Sequence, residues 1–131
     1  MLEFEKYSLV LLKDDKIIYT SNKPGLRPIL TCVKENRLKF ENCILYDKVI
    51  GLAAARLIVY SDIVSSVITP VISKSAKELL IKNKIEIESG KVVKNILNKE
   101  KTKTCPMELK AKRINNDEEF FQELISIFMI T

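Results

Sequence analysis

Histidine and tryptophan are missing from these 131 residues, and there are only three glycines, four prolines and three cysteines. Each shortage excludes something. Without histidine there is no Ser-His or Cys-His nucleophile pair, no imidazole general base and no imidazole metal ligand. The cysteines (Cys32, Cys43 and Cys105) are odd in number and carry no CxxC spacing. They read as reduced thiols in a cytoplasmic protein, not as a disulfide frame or a zinc site. No apolar run reaches the ~18–20 residues of a membrane span, and the longest, 49–60, is broken by Arg56. The opening "MLEFEKYS" has two Glu and lacks the cationic-then-apolar order of a signal peptide. Neither GxGxxG nor GxxxxGK occurs, so no standard phosphate loop is expected.

What remains is ample for a core. Hydrophobic residues make up 47% and charged residues 30%, which indicates one globular domain over residues 1–131. The net charge of +5 is uneven. Residues 82–113 hold ten Lys or Arg against four Glu, a surface able to attract an anion. Those lysines are not interleaved with aromatics, which argues against a nucleic-acid partner.

The chain order reads as alternating strands and helices. "YSLVLLKDDKIIYTS" (7–21) is a hairpin turning at Asp14-Asp15. "KPGLRPILTCVKEN" (23–36) has one apolar helical face, and "NCIL" (42–45) is a short strand. "DKVIGLAAARLIVYS" (47–61) predicts a buried helix with Asp47 as its N-cap and Gly51 inside it. "VSSVITPVIS" (64–73) is a central strand with Pro70 at its end or at a bulge. "SAKE" (75–78) is a capping box opening a helix to about residue 83. "IEIE" (85–88) alternates as a strand, and residues 89–98 read as a further helix. "CPMELKAKRI" gives a short helix or strand, and "DEEFFQELISIFMI" (117–130) a helix for packing or oligomer contact. This pattern predicts an α/β protein, a three-layer α/β/α sandwich on a mixed sheet of about five strands.

Two sites stand out among the residues. Cys105, followed by Pro106, is placed to cap a helix, where backbone amides and Lys99, Lys101 and Lys103 favour thiolate. Asp47 and Lys48 lie at the mouth of the buried helix, where α/β sheets often hold ligands.

"SLVLLKDDKIIYTSNKPGLRPIL", "DKVIGLAAARLIVYSDIVSSVITPVISKSAKELL" and "ILNKEKTKTCPMEL" together resemble the small prokaryotic domain-of-unknown-function family numbered eighteen ninety-three. The resemblance covers about residues 7–115, with "DKVIG-AAA" and "CPME" its most specific pieces. It implies a cytidine-deaminase-like fold without the deaminase zinc site. The family pattern falls on Asp47, Lys48, Gly51, Ala53, Ala54, Ser73, Asn98, Cys105, Pro106, Met107 and Glu108. Leu52 stands where relatives carry Lys, Lys99 where they carry Arg, and Lys101, Thr102 and Lys103 replace glycines.

The resulting expectation is a protein without metal or cofactor and without deaminase activity. It would bind a small anionic or nucleotide-like ligand through Asp47, Lys48, Gly51, Ser73, Asn98, Cys105 and Glu108. The alternatives are a metal-independent enzyme using Cys105 as thiolate with Glu108 or Asp47 as proton carrier, and a basic RNA-associated protein. A homo-oligomer is compatible with either, and no membrane association is expected.

Overall fold

Asp14 and Asp15 both take positive φ, 50° and 64°, as a two-residue type I′ hairpin turn requires. They join β1 (Leu9–Lys13) to β2 (Lys16–Ser21). In the computed structural model, residues 6–97 and 104–130 are described, and all that follows concerns them. After α1 (Arg27–Asn36), β3 (Cys43–Asp47) and β4 (Val49–Ile50) lead into α2 (Leu52–Ser61). Then come β5 (Val64–Ser73), α3 (Lys74–Lys82), β6 (Glu86–Val93), α4 (Pro106–Arg113) and α5 (Asp117–Ile127).

The six strands form one mixed sheet. β1 pairs antiparallel with β2 and β3, while β5 runs parallel to β3, β4 and β6. β3 and β4 keep one register against β5, with Tyr46 opposite Ile68 and Val49 opposite Val71. They therefore behave as one line interrupted at Lys48, which accounts for the expectation of about five strands.

The expected helix over 89–98 is a strand in its first half. Lys91, Val92 and Val93 extend the ladder opposite Val71, Ile72 and Ser73. The valine pair suits a pleated surface better than a helix. Gly90 permits the close approach, because a Cβ there would lie 2.6 Å from the Pro70 carbonyl oxygen. Pro70 accordingly sits within β5 and exposed, not at its end.

One face of the sheet carries the core. Leu9, Leu11, Leu45 and Val67 pack against α1, α2 and α3 through Leu30, Leu57, Ile58 and Leu80. Val10 and Tyr46, paired across β1 and β3, are buried on the opposite face. α2 has strands β4 and β5 beneath it, α1 and α3 beside it, and α4 and α5 against it. Its three consecutive alanines, 53–55, are all buried and keep it slim enough for that enclosure. Helices expected on both faces of the sheet are thus not what these contacts show. Phe120, Phe121 and Leu124 of α5 and Ala111 of α4 bury their apolar faces in the same cluster as α2.

Candidate functional site

The parallel strands β4 and β5 end side by side, Ile50 opposite Ile72, and each feeds a helix. The N-termini of α2 and α3 therefore open next to each other. Each leaves backbone N–H groups in need of an acceptor.

At α3 the acceptor is local. Ser73 is the N-cap, and its hydroxyl accepts from the Ala76 N–H at 3.2 Å. Ser75 Oγ lies 3.4 Å from Ser73 Oγ. The helix starts two residues before the capping box expected at Ser75.

At α2 the acceptor comes from far along the chain. Asp47 does not cap this helix: β4 intervenes, and the N-cap is Gly51 in extended conformation. Glycine has no side chain to offer. Glu108 of α4 supplies a carboxylate instead, with Oε2 accepting from the Ala53 N–H at 3.2 Å, 55 positions away in sequence. Leu52 donates to the same carboxylate. Gly51 is required by space, not by dihedral. A Cβ there would fall 1.6 Å from Glu108 Oε1 and 2.6 Å from Ile96 Cγ1. Glu108 is buried, 7% exposed. Burial raises its pKa above the ordinary carboxyl value, and the Ala53 and Leu52 amides with nearby Lys112 only partly offset that.

Asp47 ends β3 and is 8% exposed. Its carboxyl accepts from the Val49 and Lys48 backbone N–H groups, which fixes the break between β3 and β4. Desolvation dominates those hydrogen bonds and pushes its pKa up to about 8. Lys48 is exposed, with its backbone N–H bonded to the Ser8 carbonyl at 3.1 Å.

Cys105 is the N-cap of α4 with Pro106 in the first turn, as expected, and its thiol makes no capping bond. Its carbonyl accepts from the Glu108 N–H at 2.9 Å, and its N–H donates to Ile96 at 2.9 Å. Cys105 thus sets the helix that carries Glu108. Cys32 and Cys43 are buried, and desolvation lifts both thiols, Cys32 to about 12. Among the described residues no three Cys, Asp or Glu gather as a metal-binding group. Asn98, Lys99, Lys101, Thr102 and Lys103 lie outside the described residues.

The structure therefore brings Gly51, Ser73, Cys105 and Glu108 to one corner, with Asp47 and Lys48 at the strand end leading into it. One residue was missed by sequence reasoning. Arg56, 9% exposed, makes five hydrogen bonds: two to Asp117 Oδ1 (2.8 and 3.3 Å) and one each to the carbonyls of Ala111 (2.8 Å), Asn115 (3.3 Å) and Ile114. Its guanidinium also lies 4.3 Å from the Phe120 ring centroid. A lone charge in an apolar helix was the available signal, and it marks a clamp on the α4–α5 connection.

The family profile described as "Domain of unknown function (DUF1893)", TM1506, matches residues 1–129. This chain belongs to that family. It is similar to a solved crystal structure of a DUF1893 family protein (TM1506) from Thermotoga maritima. The identity is 26%, the TM-score 0.79, and the match covers 94% of this chain and 83% of that one. No curated protein matches. The two most specific pieces of the family resemblance, "DKVIG-AAA" and "CPME", are the two that meet in space. Gly51 leaves the room that Glu108 fills. In this family member they form one structural joint.

Proposed function

We propose that this protein is a non-catalytic member of a deaminase-like lineage that binds a small anion. The non-catalytic part is supported by the carboxylate of Glu108 on the Ala53 N–H at 3.2 Å. The chain's own acid occupies the helix mouth at which such a scaffold would otherwise do chemistry or hold an anion. A cleft of about 280 Å³ lies between α2, α3 and the α4–α5 segment, lined by Leu52, Arg56, Val59, Leu79, Lys82, Asn83, Ala111 and Asp117. Lys82 is exposed there and forms no ion pair among the described residues, so its ammonium is available to a ligand. The volume sits at the small end of the roughly 300–1,000 Å³ range of ligand sites.

Thermal unfolding with inorganic phosphate, small dicarboxylates and nucleotides tests this. A ligand at a hundred times its Kd contributes ~2.7 kcal/mol and raises Tm. The shift should vanish in Lys82→Glu. No shift with any of these compounds removes the reading. A second reading, a metal-independent thiol enzyme, draws support from the unbonded sulfur of Cys105. It requires Cys105 to alkylate faster at neutral pH than a model thiol.

A further inference from the structure

β6 is an edge strand of unusual charge layout. Among the described residues it pairs only with β5. Its eight residues are long for an edge that a monomer leaves bare. Glu86, Glu88, Gly90, Lys91 and Val92 are all exposed, and no described strand pairs with the outer side of β6. The opposite edge, β2, is better sheltered, with only Lys16 and Ile17 exposed.

The charges on β6 and just beyond it divide by sign. Glu86 and Glu88 lie before Gly90, and Lys91 and Lys94 after it. None of the four is in an ion pair among the described residues. Charge of one sign along an edge would repel a second copy. Here the sign changes about the strand centre. A two-fold copy laid antiparallel along the same edge meets its own acidic half with its partner's basic half.

We propose that β6 pairs antiparallel with β6 of a second copy of this chain, about a two-fold axis near Gly90, making one continuous sheet across the dimer. Such an axis is perpendicular to the sheet and keeps facing residues of equal parity opposite each other. The register centred on Gly90 sets Glu86 opposite Lys94, Ile87 opposite Val93 and Glu88 opposite Val92. It does so twice, once for each copy. Gly90, with no Cβ, lets the two backbones meet at the axis. The same operation brings α3 of each copy, which packs on β6, to one face of the joined sheet. Ile81 of α3 is 58% exposed and Val92 of β6 is 45% exposed. Both become buried against the second copy, which adds apolar area to the backbone pairing.

Sedimentation of the full chain over a wide concentration range tests this, with three samples. The wild type should be a dimer. Glu86→Lys with Glu88→Lys, and separately Lys91→Glu with Lys94→Glu, should each weaken association by about tenfold or more, since like charges then face across the axis. Mixing the two variants should restore dimers, now of mixed composition, because opposite signs again face each other. Circular dichroism of each variant confirms that the fold is kept, and Val92→Lys serves where a double variant fails to fold. A monomeric wild type at all concentrations overturns the proposal. So does a dimer that both reversals leave intact, or a mixture that stays monomeric.

Discussion

Two helices start side by side at the carboxyl ends of adjacent strands, and they are finished in opposite ways. α3 is capped by Ser73, the residue that ends its own strand. α2 is capped by Glu108, from the other end of the chain. The first is a local affair, formed whenever β5 and α3 form. The second holds only when the C-terminal segment has docked, and Arg56 strengthens the same dependence by gripping the α4–α5 connection. One mouth is thus an autonomous unit, and the other is a joint between two parts of the molecule.

The widest gap between the two mouths should come from Arg56→Ala. It leaves the carbonyls of Ala111, Ile114 and Asn115 without their donor, while half-exposed Asp117 turns to water, and should cost about 4 kcal/mol. Chemical denaturation measures it, and hydrogen exchange should show α5 opening before α3. Next comes Gly51→Ala, which drives a methyl group into Glu108 and Ile96 and should cost about 3 kcal/mol. Adding Glu108→Ala to it should recover a substantial part, giving a coupling of about 1 kcal/mol or more in a double-mutant cycle. Strict additivity would mean that the two residues do not share a joint.

Asp47, at the strand end before the α2 mouth, gives a pH test. Its folded pKa, about 8, lies above the ordinary 3.8. The folded state therefore holds a proton that the unfolded chain releases. Stability is fullest below pH ~4 and declines as pH rises toward 8. Asp47→Asn keeps an acceptor for the Lys48 and Val49 amides and should flatten that decline. The expected gain is about 2 kcal/mol at pH 8 relative to pH 5, less than the full shift implies because water and relaxation soften burial. An unchanged pH slope in the variant would assign the decline to another group. The smallest effect belongs to the local mouth. Ser73→Ala should cost ~1 kcal/mol, with no change in the exchange rates of α4 and α5.

The same contrast explains what the sequence revealed. The hairpin at Asp14-Asp15, the β-branched run of β5 and the acidic first turn of α5 are local patterns, and local patterns are readable. Ser73 was expected to line a ligand site, and the cap it provides was expected two residues later, at Ser75. The error at residues 89–98 arose because Gly90 against Pro70 and the pairing of Val92 with Ile72 are tertiary facts. Asp47 looks like a cap by type and place, yet two more strand residues, Val49 and Ile50, complete the ladder before the helix begins. The partnership of Gly51 with Glu108 was not legible at all. Nothing in either segment alone says that a missing side chain in one is filled by a carboxylate from the other.

The long span between Ala53 and the acid that serves it has a consequence for how the chain is made. A ribosome delivers β1 to β6 while α2 still lacks Glu108 and Arg56 still lacks the carbonyls it grips. During that interval the nascent chain presents uncovered the side of α2 that α4 and α5 later bury, a window in which chaperones would engage it. The last quarter of translation closes the molecule, so a premature stop before residue 108 should leave a product destined for proteolysis, not a smaller working protein.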